Sequence, residues 1–272
     1  GTVGPEDGDI IFDADRYLRS GVDEIGDPTD NSLFVDAAGD IIFEAGNGIV
    51  FTGNGAVELF TPSGSVTSVD RGKIPNIWTR KGDIIIQAGS GGIDMGTLQA
   101  GVESLGDEAE RPGEIRLTTT DGGDITLQHL NVEGKRYGSV YVDSAGDIVI
   151  DGSTSLGGAV NVSTNTSSLG FVAFSFVCII ADGDVDITGD VRADSHGTLI
   201  SVAKIWIGAG THHVDPVNGH EGTVTVNGQI IADSTASGAI HSDATVRVYG
   251  SHVVLDSGGG RKAVVASAQS KV

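Results

Sequence analysis

The sequence predicts an all-β protein, a right-handed parallel β-helix (β-solenoid) with coils of roughly 20 residues and loop excursions. First, the core Gly-Asp-apolar-x-apolar occurs six times, as in SVYVDSAGDIVIDG at 139–152. Second, three to five residues of apolar-polar alternation, typical of a strand with one buried face, follow many of the glycines. Third, glycine accounts for 42 of the 272 residues, and good helix formers seldom occur in runs.

Repeats within the sequence set the expected coil length. Such strands are too short and too separated for hairpins, but coils bury one face of each strand and pair at about 4.8 Å. Residues 183–195 match 222–234, 39 positions later, whereas strands starting at Val185, Ile205 and Val224 are spaced 20 and 19 residues apart. We therefore expect roughly 11 to 13 coils of roughly 20 residues, in a rod about 50 to 60 Å long. Coils of about 40 residues are the second interpretation, and an antiparallel sandwich is the third.

The Gly-Asp pairs are assigned to corners between the faces of a coil. The glycine is expected to supply the positive φ angle of a sharp corner, as in Asn-Gly pairs such as Asn227-Gly228. The aspartate is expected to bond backbone amides at its own corner, with only partial stacking of carboxylates because the pairs recur irregularly. The residues assigned to these structural turns are Gly8, Asp9, Gly39, Asp40, Gly82, Asp83, Gly123, Asp124, Gly146, Asp147, Gly183 and Asp184.

Charge and hydropathy exclude two classes of partner. The chain has 37 acidic and 16 basic residues, a net charge of −21, so most of its surface repels nucleic acid. The most apolar run, at 171–180, is too short to cross a bilayer and predicts a doubly buried strand, so we expect no membrane insertion. Cys178 lies in this run and is expected to be a buried small hydrophobic residue.

We expect one β-solenoid domain over residues 1–272, with function carried by the segments that break its rhythm. The chain's dense basic-aromatic cluster surrounds Trp78. Trp206 and Tyr249 occupy strand positions that are expected to point outward, where aromatic rings stack on sugars or pack against another rod. These three residues are the candidate surface contacts. The predicted excursions are 15–31, 61–81, 98–113 and 209–222.

Metal-binding and catalytic motifs are weak. His212 and His252 fall on each other in the repeat of about 40 residues, near acidic residues, but tightly spaced ligands such as HExxH are absent. DGDVD at 182–186 resembles the start of an EF-hand loop without its later Gly and Glu. With so many carboxylates, coincidental pairs are inevitable. We therefore predict no metal, no cofactor, no catalytic residue and no enzymatic activity.

The repeated pattern, as in LFVDAAGDIIF, VYVDSAGDIVI and CIIADGDVDI, resembles the filamentous-haemagglutinin-like repeats of large bacterial surface exoproteins over most of residues 8–260. The resemblance implies an extracellular or cell-surface structural or adhesive β-solenoid. From the strand-like end AVVASAQSKV we expect this rod to be a fibre-forming subunit or stalk, self-associating end to end through strand edges. The alternative is a carbohydrate-binding or polysaccharide-degrading β-helix, with cell-surface or matrix polysaccharide as its partner.

Overall fold

A computed structural model describes twelve segments of the chain. They are residues 9–12, 17–20, 32–43, 49–52, 55–69, 77–101, 113–154, 158–166, 172–210, 221–238, 240–258 and 260–270. These segments form β-strands and a short 3₁₀ turn at Gly152–Thr154. The described part of the chain holds no helix with the length and hydropathy that crossing a membrane requires.

The strands form three sheets in which all pairings are parallel. In spatial order, sheet 1 contains β1 (Ile10–Phe12), β4 (Ile41–Phe43), β7 (Ser65–Ser68), β10 (Gly92–Asp94), β13 (Ile125–Leu127), β16 (Ile148–Asp151), β19 (Val185–Thr188), β22 (Thr223–Asn227) and β25 (His252–Asp256). Sheet 2 contains β2 (Tyr17–Ser20), β5 (Ile49–Thr52), β8 (Ile77–Thr79), β11 (Thr97–Ala100), β14 (His129–Gly134), β17 (Val160–Asn165), β20 (Val191–Gly197), β23 (Ile230–Ala236) and β26 (Val264–Ser270). Sheet 3 contains β3 (Leu33–Asp36), β6 (Val57–Thr61), β9 (Ile84–Ala88), β12 (Gly113–Thr119), β15 (Tyr137–Ser144), β18 (Val172–Ala181), β21 (Ile200–Ala209) and β24 (His241–Tyr249).

Each strand pairs with the third strand before and after it, so the chain visits sheets 1, 2 and 3 in turn. This is the topology of a parallel β-helix with three strands per coil, and it confirms the predicted fold class. Sheets 1 and 2 each have nine strands, so the described rod spans nine coils. At about 4.8 Å per coil it is roughly 40 Å long.

The predicted coil of roughly 20 residues is wrong. Ile125 pairs with Ile148, 23 residues later, and Val185 pairs with Val224, 39 residues later. The match between 183–195 and 222–234 is therefore one full coil. The shorter spacing from Val185 to Ile205 joins strands β19 and β21, which lie in different sheets. Two strands of one coil, on different sheets, have similar sequence patterns, and the sequence spacing was therefore interpreted as two separate coils.

Segments predicted as excursions contain regular strands. β2 lies within 15–31, β7 and β8 lie within 61–81, and β11 overlaps 98–113. These strands have three or four residues each, too few for the alternation of apolar and polar residues to be recognised. The predicted excursions are therefore partly regular coil, while residues 21–31, 70–76 and 102–112, and residues 211–220 of the fourth predicted excursion, lie outside the described residues.

The core lies between the three sheets and is built from aliphatic side chains stacked in register. Along sheet 3, one inward position holds the same type of residue in successive coils, and each of these side chains is fully buried. The stack consists of Val57, Ile84, Ile115, Val140, Val177 and Ile205. Burying each of these side chains stabilises the fold by about 1.5 to 3 kcal/mol. The burial depends on the neighbouring coils, which cover each side chain from both sides.

Buried hydroxyl groups satisfy carbonyl oxygens where sheet 3 turns into sheet 1. Thr119 Oγ1 donates to the carbonyl oxygen of Gly123 at 2.5 Å, and Ser144 Oγ donates to the same oxygen from the next coil at 2.9 Å. Thr61 Oγ1 donates to the Gly39 carbonyl oxygen at 2.6 Å. A buried carbonyl oxygen without a hydrogen-bond donor would destabilise the fold. These hydroxyl groups supply the donors, so the corner between sheets 3 and 1 can be buried.

Strand β18 confirms that the apolar run at 171–180 is a strand, but it is not doubly buried. Its inward residues are buried, whereas Phe174, Phe176 and Ile180 on the outer face of sheet 3 are partly exposed. The outer half of this run therefore contributes an apolar surface to the rod.

Candidate functional site

Five of the six Gly-Asp aspartates lie on one corner of the rod, immediately before the strands of sheet 1. They are Asp9, Asp40, Asp124, Asp147 and Asp184. Asp83 instead precedes β9 in sheet 3. The last three of the five occupy consecutive coils, because β13, β16 and β19 are neighbours in sheet 1. The carboxylates therefore form two short runs along sheet 1, interrupted at β7 and β10, which agrees with the expected partial stacking.

Each aspartate of this stack binds the next coil and not its own corner, which corrects the predicted role. Asp124 Oδ1 accepts a hydrogen bond from the amide of Asp147 at 2.8 Å, and Asp147 Oδ1 accepts one from the amide of Asp184 at 2.8 Å. Asp184 Oδ1 then accepts from the amide of Thr223 at 2.7 Å. Asp9, Asp40 and Asp83 bond the following coil in the same way. The aspartates thus join coils to one another.

The glycines of the Gly-Asp pairs are needed for space and not for a positive φ angle. None of the described ones, Gly39, Gly82, Gly123, Gly146 and Gly183, has positive φ, and Gly8 lies outside the described residues. A Cβ atom at Gly183 would lie 2.0 Å from Asp147 Oδ1, and one at Gly146 would lie 2.2 Å from Asp124 Oδ1. At Gly146 and Gly183 the carboxylate of the preceding coil therefore fills the place that glycine leaves empty, whereas a Cβ atom at Gly123 would lie 2.3 Å from the Gly89 carbonyl oxygen.

This packing explains the pairing of glycine with aspartate at 146–147 and 183–184. In Gly146-Asp147, the glycine makes room for the carboxylate of Asp124, and the aspartate reaches forward into the space beside Gly183. The same spatial role accounts for Gly228, whose Cβ would lie 2.2 Å from the Gly189 carbonyl oxygen. Gly228 also lacks the positive φ that its Asn-Gly sequence predicts.

Two of the three candidate surface contacts, Trp206 and Tyr249, lie on the outer face of sheet 3. Trp206 lies between the fully buried Ile205 and Ile207, and its indole is partly exposed. Tyr249 pairs with Gly208 at the edge strand β24. We call this outer surface of strands β15, β18, β21 and β24 the aromatic face.

Rings on the aromatic face contact each other along the rod axis. Tyr137 and Phe174 stack with centroids 5.3 Å apart and planes 9° apart. Phe176 meets Trp206 edge to face at 5.2 Å, and the guanidinium of Arg247 lies over Trp206 at 5.4 Å. Trp206 thus has one neighbour on β18 and another on β24. Because stacking on a sugar requires a free ring face, this arrangement favours adhesion between coils.

Cys178 lies on the same face, between Tyr141 and Trp206 in register, yet only 3 % of its surface is exposed. Burial, together with the nearby charge of Asp143, raises the pKa of the thiol to about 12. The thiol is therefore protonated at neutral pH, in agreement with the prediction of a small hydrophobic residue.

Trp78 lies on strand β8, on the outer face of sheet 2, and is partly buried. Of the basic residues around it, Arg71 and Lys73 lie outside the described residues, whereas Arg80 and Lys81 lead into the Gly82-Asp83 corner. The aromatic residue that was predicted on a loop is thus part of a regular coil.

A polar depression on the outer face of sheet 2 was missed by the sequence analysis. Asn161 Nδ2 donates to Asn131 Oδ1 at 2.8 Å, and Arg192 Nε lies 2.6 Å from Asp194 Oδ2. Burial raises the pKa of Asp194, while Arg192 acts in the opposite direction. In the sequence, these polar residues alternate with apolar ones on each strand. Their grouping into one depression can be recognised only when the register of three successive coils is known. The depression is lined by Glu133, Gly158, Asn161, Ser163, Asp190, Arg192 and Asp194.

The histidines do not form a site within the described residues. His212 lies outside them, and His252 is exposed beside Ser251 Oγ at 3.3 Å. His129 is buried, with Nδ1 2.7 Å from the Gly158 carbonyl oxygen, and burial lowers its pKa below 6.5. Across the described ranges, no three residues among His, Cys, Asp and Glu are placed to hold a metal ion.

Strands β24, β25 and β26 are the last strands of sheets 3, 1 and 2 in the described structure. Together they form what we call the carboxyl-end coil. Its inward apolar residues remain open at this end of the rod. Val253 is 43 % exposed and Val264 is 39 % exposed, whereas their register partners Val224 and Ile230 are fully buried. The coil therefore presents strand edges and an uncovered section of the core to solvent within the described structure.

Comparisons of the chain with protein-family models, with curated proteins and with solved structures each found no match. The assignment as a parallel β-helix consequently rests on the strand pairing alone.

Proposed function

We propose that the protein is a structural or adhesive β-solenoid of the filamentous-haemagglutinin-like kind, acting as an extracellular or cell-surface rod that joins end to end into a fibre or stalk. The observation that carries this proposal is the open carboxyl-end coil. A sheet edge with unpaired amide and carbonyl groups is a template for another strand. Here three such edges surround the exposed end of one continuous core.

Burial at the open end supports the same conclusion. Wherever a following coil is present, inward residues such as Ile205 and Val224 are fully buried. In the carboxyl-end coil, the equivalent positions, Val246 and Val253, are partly exposed. One further coil would bury these side chains and pair all three edges, which is the mode of association known as β-augmentation. The first strands of sheets 1 and 2, β1 and β2, offer the edges complementary to β25 and β26, whereas sheet 3 has one strand fewer in the described structure and would keep a gap of one strand at such a joint.

Electron microscopy of negatively stained protein over a concentration series tests the proposal, with light scattering as the solution measurement. We expect unbranched filaments whose length increases with concentration. Val253 and Val254 form a matched pair, because both are exposed, at 43 % and 51 %, but Val253 lies on the inward register and Val254 on the outward one.

Val253→Asp places a charge in the core of the joint and is expected to abolish filaments, whereas Val254→Asp is expected to retain them. Monodisperse monomers of the unmodified chain at all concentrations would refute the proposal.

The second candidate function is binding or degradation of carbohydrate, and the polar depression on sheet 2 favours it. Neighbouring amide, guanidinium and carboxylate groups of Asn161, Arg192 and Asp194 are the donors and acceptors that sugar hydroxyl groups require. A polysaccharide panel tests this function. Binding or cleavage that is lost on Asn161→Ala and kept on Thr118→Ala, on the outer face of sheet 3, would support it. Loss on Trp78→Ala would place the sugar nearer the amino end of sheet 2.

A further inference from the structure

We infer that the polar depression on sheet 2 is one end of a longer track, and that this track binds a neutral, extended polysaccharide lying parallel to the rod axis. The track is the row of outer-face side chains that begins at Trp78 and ends at Arg192. This inference rests on the second candidate function, carbohydrate binding, and does not depend on end-to-end joining. It names the ligand as an unbranched chain of uncharged sugars, such as a β-linked glucan.

The strand register brings the residues of the track into one row. On the outer face of sheet 2, the register places Trp78 beside Gln99, and Gln99 beside Asn131. It then places Asn131 beside Asn161, and Asn161 beside Arg192. These residues lie on β8, β11, β14, β17 and β20, which are consecutive strands of the sheet. At about 4.8 Å between neighbouring strands, the row is about 19 Å long.

An aromatic ring, side-chain amides and a guanidinium follow one another along the track. The indole of Trp78 supplies an apolar surface for the C–H face of a sugar. Gln99 and Asn161 each carry an amide with two N–H donors and a carbonyl acceptor, the functions that sugar hydroxyl groups require. Asn161 donates one N–H to Asn131 Oδ1 at 2.8 Å, so its second N–H can serve a ligand. Asn131 is only 9 % exposed and orients Asn161.

A second row of oxygen-bearing side chains runs beside the track, two residues further along each strand. Glu133, Ser163 and Asp194 are in register on β14, β17 and β20. Ser163 has the shortest side chain of the three, so the surface is hollow between the two carboxylates. The depression has a volume of about 460 Å³, within the roughly 300 to 1,000 Å³ that is typical of small-molecule sites. A sugar ring in it lies between carboxylate acceptors and the amide of Asn161.

The spacing of the coils favours a chain that follows the rod axis. Neighbouring coils are about 4.8 Å apart, close to the advance of one sugar in a fully extended β-linked glucan. Successive sugars therefore meet equivalent positions on successive coils. Beyond Arg192 the same row continues with Ile231 and Val265, whose side chains carry no polar group. The depression is thus the carboxyl-side end of the track, and the ligand extends from it toward Trp78.

Charge determines the class of sugar. The depression is lined by the carboxylates of Glu133, Asp190 and Asp194 and by a single guanidinium, that of Arg192. This guanidinium is already engaged, because Arg192 Nε lies 2.6 Å from Asp194 Oδ2. The protein as a whole has a net charge of −21. Uronic acids and sulfated sugars are therefore repelled, whereas uncharged hydroxyl groups can donate to the carboxylates.

Isothermal titration calorimetry with oligosaccharides of increasing length tests the track, and circular dichroism checks the fold of each variant. We expect the affinity to increase from cellobiose to cellohexaose, because only the longer chain reaches from the depression to Trp78. Maltohexaose has the same sugar in a curved chain, and an oligogalacturonate is extended but acidic. Each of these two ligands should bind about tenfold more weakly than cellohexaose, or weaker still.

Gln99→Ala and Gln87→Ala are a matched pair of variants. Gln99 lies on the outer face of sheet 2, whereas Gln87 lies on the outer face of sheet 3, outside the track. Gln99→Ala and Trp78→Ala should each weaken cellohexaose binding about tenfold and leave cellobiose binding unchanged. Gln87→Ala should change neither.

The possible failures are distinguishable. Equal affinity for cellobiose and cellohexaose, or cellohexaose binding that resists both Gln99→Ala and Trp78→Ala, would overturn the track while leaving sugar binding at Asn161 intact. Tighter binding of the oligogalacturonate than of cellohexaose would overturn the neutral class of ligand. Absence of binding to every one of these oligosaccharides would overturn both the track and the carbohydrate function.

Discussion

A double-mutant cycle at Gly183 and Asp147 tests the packing of glycine against aspartate. In Gly183→Ala the new Cβ would lie 2.0 Å from Asp147 Oδ1 and 3.1 Å from Asp147 Cγ. Carbon and oxygen atoms need about 3.4 Å, so the carboxylate must retreat by roughly 1.4 Å. That movement breaks its 2.8 Å hydrogen bond from the amide of Asp184. Gly183 does not have positive φ, so backbone strain adds little.

The expected cost follows from these two effects. Overpacking costs about 1 to 3 kcal/mol and the lost hydrogen bond about 0.5 to 1.5 kcal/mol, so Gly183→Ala should lower the free energy of unfolding by about 2 to 4 kcal/mol. Asp147→Ala removes an acceptor but causes no collision, and should cost about 1 kcal/mol. In the double variant the methyl group meets no carboxylate, so we expect the cost to fall short of the sum by about 1 to 3 kcal/mol.

Urea denaturation followed by circular dichroism measures the four free energies. Gly222→Ala is the matched control, because its Cβ would lie 2.3 Å from the Gly183 carbonyl oxygen and 2.6 Å from the Gly210 nitrogen. These are backbone atoms, so Asp147→Ala should not offset the cost of Gly222→Ala. Additive costs for Gly183→Ala and Asp147→Ala would refute the account of why the pair recurs.

Three further predictions concern buried or stacked groups. Burial lowers the pKa of His129 below 6.5, so the neutral imidazole stabilises the fold fully above pH 6.5, and this stabilisation is lost as the pH falls through the folded-state pKa. The free energy of unfolding should therefore decrease less between pH 7.5 and pH 5 in His129→Asn than in the unmodified protein. Cys178, with a pKa of about 12, should react with iodoacetamide at pH 8 only in urea, and rapid labelling of the folded protein would contradict its burial. Trp206→Ala removes contacts with Phe176 and Arg247 and should lower the melting temperature by several degrees, whereas Thr118→Ala on the same sheet should leave it unchanged.

The sequence was sufficient for the fold class but not for the size of a coil. Alternation and glycine frequency identify short parallel strands, and these do not depend on how many strands make one coil. Val185, Ile205 and Val224 have similar neighbours although Ile205 belongs to another sheet, and only the hydrogen-bond register separates them. Periodicity in a chain of variable coil length therefore measures the distance between similar strands.

The role of the Gly-Asp pair was not predictable from local turn preferences. A glycine before an aspartate is typical of a tight turn, yet the atom that requires glycine at position 183 belongs to Asp147, 36 residues earlier. Likewise, the aromatic face and the depression around Asn161 arise from side chains on successive coils. Contacts between successive coils are not visible in any short segment of the sequence, and they build both of these surfaces.

Variable coil length has a consequence for how such a protein changes. The coil from Ile125 to Ile148 uses 23 residues and the coil from Val185 to Val224 uses 39, yet each adds a single strand to each sheet. Because each coil advances every sheet by one strand, the additional residues of the longer coil add nothing along the axis. Insertions can therefore lengthen individual coils without changing the length of the rod, which depends on the number of coils and not on the number of residues.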